Sequence, residues 1–266
     1  MDDVTSGQVS QSAAEVYEAF FVPALFGQFA PHMTTALQLR PGDSVLDVAC
    51  GTGVLAREAA RRVSPGGSVT GVDRNEGMLA VAHRTAPGIA WRSALAEALP
   101  FEGASFDAVG CQFALMFFED RTAALEEMWR VLRPGGRLAV AVWAPLAASP
   151  GYQAMARLLD RLFGAGIAAA LEAPFVLGDE AKLLALFREA GIANPSLVAE
   201  KGTARFESID AWLHTEIKGW TLADAIDDSQ YARLLHESRK VLSPYAGSDG
   251  RVAFAAPAHI VRVHKG

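Results

Sequence analysis

The strongest chemical signal in the chain is nine residues long: Val45-Leu46-Asp47-Val48-Ala49-Cys50-Gly51-Thr52-Gly53. A short apolar run with strand character ends in two glycines. It is followed by Val54 to Val63, where Leu55, Ala59 and Val63 recur at helical spacing. Glycines between a strand and a helix let the backbone turn tightly and come close to a ligand. The helix N-terminus that follows offers free N–H groups and the positive end of the helix dipole. A plain strand-to-helix turn needs one glycine, and two point to a nucleotide-type ligand. Gly51-x-Gly53-x-x-Ala56 also satisfies the dinucleotide fingerprint, with Asp73 at the end of the next strand, about 20 residues on. Asp47 weighs against NAD. A carboxylate two residues before Ala49 repels a pyrophosphate unless it is paired or turned away, and it favours a cationic ligand.

Other residues could add to this chemistry. Asp73 at a strand tip can accept from both vicinal hydroxyls of a ribose, forming two charge-assisted bonds. Its plainer reading is an acid at the start of the helix that opens with Asn75-Glu76. Asp47 could likewise only cap a neighbouring turn. Gln112 ends the fourth predicted strand, where open α/β sheets bind ligands, and a hydrogen-bonded core amide is an equal alternative. Phe113, Leu115, Met116, Phe117 and Phe118 read first as core, with some of them available to floor a pocket. The six histidines form no metal spacing. His214, within Trp212-Leu213-His214-Thr215-Glu216, is the candidate base, against an ordinary half-exposed histidine. Cys50 and Cys111 sit in apolar runs and read as buried free thiols.

The elements that must position these residues alternate. Ser44–Ala49, Ser68–Val72, Ile89–Arg92, Phe106–Cys111 and Arg137–Trp143 are short apolar runs that read as strands. Helical stretches and turns such as Ser64-Pro65-Gly66-Gly67 separate them. Continuous apolar strands alternating with helices predict a parallel sheet covered on both faces, with right-handed crossovers. Residues 8–39 read as helical, broken at Pro23 and Pro31. After Trp143 the rhythm loosens. An amphipathic helix spans Ala181–Gly191, and Pro195–Phe206 and Ala253–His264 read as two further strands. Residues 144–180 and 208–250, the latter with Trp212, Trp220, Tyr231 and Tyr245, read as cap insertions. The organisation expected is an N-terminal helical segment 1–39, a cofactor-binding core 40–143, and the rest of the sheet with its cap over 144–266.

The glycine loop resembles the first motif of class I S-adenosylmethionine-dependent methyltransferases. Gly71-Val72-Asp73, followed by Arg74 and by Met78-Leu79, resembles the second, whose acid binds the ribose. Glu97-Ala98-Leu99-Pro100-Phe101 with Ser105-Phe106-Asp107-Ala108-Val109 resembles the run into the fourth strand. Arg130-Val131-Leu132-Arg133-Pro134-Gly135-Gly136-Arg137-Leu138 resembles the helix-to-fifth-strand turn. These motifs cover about residues 40–143, the type grouped with ubiquinone and menaquinone biosynthesis methyltransferases. The resemblance implies a doubly wound, mostly parallel seven-stranded sheet of Rossmann-like type, with N-terminal helices, a terminal antiparallel strand and a helical cap. It implies S-adenosyl-L-methionine as cofactor and S-adenosyl-L-homocysteine as product, held by Asp47, Ala49, Cys50, Gly51, Gly53, Asp73, Arg74, Met78, Leu95, Ala96 and Gln112. Asp47 would sit near the methionine moiety, and Tyr17 on the N-terminal helices would close over the cofactor and join His214 as a catalytic candidate. One departure stands out. The family has Gly-Asp-Ala before Glu-x-Leu-Pro-Phe, its aspartate meeting the adenine amino group, and here the residues are Ala94-Leu95-Ala96. Leu95 cannot accept that hydrogen bond through its side chain.

Composition narrows the partners. The chain has 266 residues, 51% hydrophobic, with a formal net charge of −6. That suits a sizeable globular core and disfavours a nucleic-acid reader, which needs a basic face. No apolar stretch approaches the ~20 residues of a membrane span. The acidic start Met1-Asp2-Asp3 lacks a signal-peptide pattern, so a cytoplasmic location is expected. The reading is methyl transfer to a small, partly hydrophobic molecule, with no metal. The alternatives are an NAD(P)-dependent oxidoreductase, which fits the glycine spacing, and a non-catalytic cofactor-binding or partner protein, which fits Leu95.

Overall fold

The computed structural model describes residues 11–218 and 225–266. Trp220 lies outside the described residues. Helix α1 (Gln11–Val16) runs into a π-helix, Tyr17–Phe26, and a single 3-10 turn leads to α2 (Ala30–Ala36). Then β1 (Ser44–Val48), α3 (Val54–Val63), β2 (Ser68–Asp73), α4 (Glu76–Thr85), β3 (Ala90–Ser93) and β4 (Phe106–Gln112) follow, and α5 (Arg121–Val131) and β5 (Leu132–Trp143) complete the regular alternation. The remainder holds α6 (Pro150–Phe163), α7 (Ala165–Glu172), α8 (Glu180–Glu189), β6 (Ser196–Glu200), β7 (Thr203–Phe206), α9 (Ile209–Lys218), α10 (Asp228–Val241), β8 (Val252–Ala255) and β9 (Ala258–His264).

The expected doubly wound sheet is present. Its seven strands lie in the order β3-β2-β1-β4-β5-β9-β6. The strands from β3 to β5 pair in parallel, and β9 runs antiparallel to both β5 and β6. Strand order reverses beside β1, which has β2 on one side and β4 on the other. At such a reversal the loops leaving neighbouring strands diverge to opposite faces and open a crevice at the carboxyl ends. The inner strands are buried along nearly their whole length, which is why they read as continuous apolar runs.

Several expectations need correction. Pro23 does not break the N-terminal helix. It lies inside the π-helix, whose wider i→i+5 spacing is seen where the Gly27 N–H donates to the Val22 carbonyl. Gly27 is required there, since a Cβ would stand 2.9 Å from that carbonyl oxygen. The two late strands each divide in two. Pro257 has no N–H to continue a ladder, and the chain crosses itself tightly at Gly202, where the Ala256 N–H donates to the Gly202 carbonyl. The result is a separate antiparallel ribbon of β7 and β8, beside the main sheet rather than in it. The fifth strand begins earlier than expected. Arg133-Pro134-Gly135-Gly136 forms an irregularity within it, where the pairing with β4 shifts register.

Beyond β5 the packing centres on aromatic rings. The Trp212 side chain on α9 is fully buried, with its ring 4.6 Å from that of Phe254, 5.7 Å from Phe206 and 6.0 Å from Tyr152. Trp212 is thus a core residue of this half. The Glu216 carboxylate is buried beside it and accepts a hydrogen bond from the Tyr152 hydroxyl at 2.7 Å. Burial outweighs that hydrogen bond and pushes the Glu216 carboxyl up to about 7.

A carboxyl raised on folding contributes its full stability below the unfolded pKa and loses it as pH rises through the folded value. Glu216 therefore weakens the fold between about pH 4 and pH 7. Glu216→Gln keeps an acceptor for Tyr152 and removes the charge. It is expected to be more stable than the parent by about 1–3 kcal/mol at pH 8, and nearly equal to it at about pH 4. Urea unfolding at the two pH values checks this; an equal stability at pH 8 would refute it.

Candidate functional site

The crevice beside β1 is a cleft of about 1060 Å³, open mouth included. Every described residue lining it falls between Tyr17 and Phe118. Its floor is the loop after β1. Ala49, Gly51 and Gly53 all take left-handed backbone conformations, with φ of 54°, 55° and 87°. The alternating turn brings Ala49, Cys50 and Gly51 to the cleft surface. Gly53 behaves differently. It precedes α3 but does not line the cleft, and a Cβ there would lie 2.3 Å from the Trp91 indole. A Cβ on Gly71 would lie 2.4 Å from the same ring. Both glycines make room for Trp91, so Gly53 shapes the loop by packing and not by ligand approach.

Asp73 fastens the floor to the next wall. One carboxylate oxygen accepts from the Gly51 N–H at 2.8 Å and the other from the Asn75 N–H at 2.8 Å. Each oxygen keeps a further lone pair toward the cleft. Burial raises the Asp73 pKa, and these two N–H groups and the Arg74 cation oppose the rise. Asn75 caps α4, its side chain accepting from the Met78 N–H. Asp47 is 1% exposed. One oxygen accepts from the Ala56 N–H in the first turn of α3, at 2.9 Å, so the capping alternative is half right. The other, Oδ1, is buried with no hydrogen-bond partner. Burial pushes the Asp47 carboxyl up to about 8, against the Ala56 N–H.

The remaining walls come from the segment after β3, from the end of β4 and from the N-terminus. Ala94, Ala96 and Glu97 line the cleft, but the Leu95 side chain does not and is 47% exposed. The expected contact from Leu95 is therefore limited to its backbone. Gln112, Phe113, Ala114, Phe117 and Phe118 form the wall after β4. Tyr17 and Phe26 reach over from the π-helix, their rings stacked 5.1 Å apart. That helix is latched to α3, where Arg57 bonds the Glu18 carboxylate at 2.8 Å and the Thr52 carbonyl at 2.7 Å.

The structure thus brings Tyr17, Asp47, Ala49, Cys50, Gly51, Asp73, Arg74, Met78, Ala96 and Gln112 together and leaves out Gly53, Leu95 and His214. His214 is exposed on α9, its ring 6.1 Å from Phe20, and is no base for this cleft. Tyr17 is no base either. Burial, then the nearby Asp73, Glu18 and Asp47 charges, hold its hydroxyl protonated. Sequence reasoning missed Phe26, Ala94 and Glu97. Glu97 adjoins a recognised motif and could have been found from it, whereas Phe26 has no local signal. Cys50 and Cys111 are free and buried, as expected. Among the described residues no cluster is placed to hold a metal ion, and no helix is long and apolar enough to cross a membrane.

Chemically, the cleft is acidic. Asp47, Asp73 and Glu97 line it, with Arg74 the one cation among the described lining residues. That opposes a pyrophosphate and suits a ligand with hydroxyl donors and positive charge.

Residues 45–136 match a family model described as a methyltransferase domain. The ubiquinone/menaquinone biosynthesis C-methyltransferase UbiE of Hahella chejuensis is 47% identical over 108 residues, 38% of this chain and 43% of that protein. The chain spans about half the length of the curated relatives it matches. Among solved structures, the YcgJ protein of Bacillus subtilis superposes with a TM-score of 0.58 at 20% identity, over 90% of this chain and 98% of that one. Phosphoethanolamine N-methyltransferase 2 of Haemonchus contortus, solved with S-adenosyl-L-methionine, gives 0.62 at 17% identity, over 97% of this chain and 58% of that one. Residues 45–136 thus match a methyltransferase domain, and the sheet around them has the fold of the solved methyltransferase structures it resembles.

Proposed function

We propose that the chain binds S-adenosyl-L-methionine in this cleft and transfers its methyl group to a small, partly hydrophobic acceptor. One observation carries the reading: the paired carboxylates, Asp73 fastened by two backbone N–H groups and Asp47 with one buried oxygen unpartnered. Asp73 would accept from ribose hydroxyls. Asp47 Oδ1 offers a negative site to the cationic methionine end. Adenine would lie along Ala94, Ala96 and Met78, with the Glu97 carboxylate on the same wall supplying the acceptor that Leu95 lacks.

The cofactor, when bound, supplies a methyl group already activated on a sulfonium. The protein then has to hold nucleophile and methyl in line and exclude water. Tyr17 and Phe26 do the latter from the N-terminal side. Among the described lining residues there is no histidine or lysine, so positioning outweighs base catalysis. The segment 208–250 bears on the cleft indirectly, because α9 packs against the π-helix carrying Tyr17. An oxidoreductase reading finds nothing in its favour here, since three acids face the space a pyrophosphate would fill. Calorimetry with S-adenosyl-L-homocysteine and NAD decides between the two. Tight NAD binding without S-adenosyl-L-homocysteine binding would overturn the proposal.

Asp73→Ala should weaken S-adenosyl-L-homocysteine by about 1.5–3 kcal/mol, the range for hydrogen bonds to a charged group. An unchanged dissociation constant in a folded variant would remove Asp73 from the ribose site. A second expectation follows from Asp47, whose carboxyl burial pushes up to about 8. A bound cation lowers that value, so binding near pH 6.5 should release protons, and affinity should rise with pH toward about 8. Titrations in buffers of different ionisation enthalpy measure the release. Asp47→Asn should abolish it; a parent protein that exchanges no protons would show that Asp47 does not face the charge.

A further inference from the structure

The N-terminal segment spans the crevice from one side to the other. At its start, α1 packs on α4, where Ala14 meets Met78 and Val81 in a small apolar cluster apart from the main core. At its end, the Phe26 ring lies 5.6 Å from that of Phe113 and 5.7 Å from that of Trp143. The two ends are held differently. Just beyond the π-helix, the Gln28 amide bonds both backbone groups of Thr203. Its Nε2 donates to the carbonyl and its Oε1 accepts from the N–H, each at 3.0 Å. Phe21, Leu25, Phe26 and Phe29 are buried around this point. That end is a fixed anchor.

The other end depends on ion pairs. Glu15 meets Arg84 at 2.9 Å, but both side chains are more than half exposed, and such a pair contributes little. Glu18 and Arg57 differ. Their side chains are 24% and 20% exposed, and Arg57 Nη2 donates to Glu18 Oε1 at 2.8 Å. Arg57 Nη1 donates at 2.7 Å to the Thr52 carbonyl, inside the glycine loop. One guanidinium therefore grips the cover and the floor of the cleft together. Its planar fork is rigid, so the two bonds share one geometry. Glu18 Oε2 is buried with no hydrogen-bond partner among the described residues. A pair fastened at one carboxylate oxygen parts more easily than a bidentate one. Next to Glu18, the Tyr17 ring stands over the loop, 4.0 Å from where a Cβ on Gly51 would lie.

We propose that Arg57 is a positioning residue for the cofactor: its bond to Glu18 holds Tyr17 over the glycine loop, and the parting of that pair sets the rate at which the demethylated product leaves. This rests on the cofactor reading above. The Gln28–Thr203 anchor is the hinge, and the Glu15–Arg84 pair takes no part. Release past such a cover is a common limit on turnover.

Surface plasmon resonance with the whole chain immobilised measures S-adenosyl-L-homocysteine dissociation. Glu18→Gln keeps the size of the side chain and removes its charge. It should speed dissociation by about fivefold to tenfold, the difference between a charged and a neutral hydrogen bond. In an Arg57→Met background the same substitution should add nothing further, because its partner is gone. Glu15→Gln, at the exposed pair, should change the rate by less than about twofold. Thermal unfolding confirms that each variant folds. Three results would overturn the inference: a folded Glu18→Gln that releases at the parent rate, equal acceleration with and without Arg57, or equal acceleration by Glu15→Gln, which would mean a general loosening of the segment. A parent that binds no S-adenosyl-L-homocysteine strikes the cofactor reading instead, so the two failures are distinguishable.

Discussion

Asp73 holds two loops that would otherwise move independently. Its carboxylate takes one N–H from the turn after β1 and one from the turn after β2. Hydrogen bonds from N–H groups to a buried carboxylate are roughly twice as strong as neutral ones. The same group therefore sets the geometry of the glycine loop and presents its remaining lone pairs to the cleft. The loop can meet Asp73 because Ala49, Gly51 and Gly53 are left-handed, and Gly53 and Gly71 can approach Trp91 because neither has a Cβ. Glycine thus serves two ends in one short stretch: conformation at Gly51, and clearance for a tryptophan at Gly53 and Gly71.

Concentrating acids in a buried cleft has an energetic consequence. Asp47 and Asp73 both have raised pKa values, burial being the first cause of each. Arg57, bonded to Glu18 and the Thr52 carbonyl, opposes the rise at Asp47 only in part. Carrying charge on both carboxyls in the buried cleft is therefore unfavourable. Glu216 shows a similar raised pKa in the aromatic half, but with the Tyr152 hydroxyl already donating to it. Its environment is a feature of packing.

The two halves of the molecule share the main sheet through the β5–β9 pairing, and the N-terminal segment touches both. The π-helix carries Tyr17 and Phe26 into the cleft, Glu18 onto α3, and Phe20 toward His214 of α9. α9 packs on this helix and on α1, so changes in α9 can bear on the cleft through the N-terminal segment.

What the sequence determined by itself was the part written in local pattern. The strands and helices from Ser44 to Trp143, the glycine loop, and the placing of Asp47, Asp73 and Gln112 at strand ends follow from period, turn residues and the rule that parallel sheets bind ligands at their carboxyl ends. The free buried thiols follow from their apolar surroundings. Tertiary structure decided the rest. Whether Pro23 breaks a helix depends on the π-helical spacing around it, and whether Ala253–His264 is one strand depends on the crossing at Gly202 and Ala256. Leu95 turning outward, Gly53 facing Trp91, and His214 lying off the cleft are all matters of direction, which side-chain type does not encode. The contact of Gln112 with the Phe26 carbonyl joins residues 86 positions apart. No local period reports such a pairing, because it exists only once the sheet has formed and the N-terminal helix has folded across its edge.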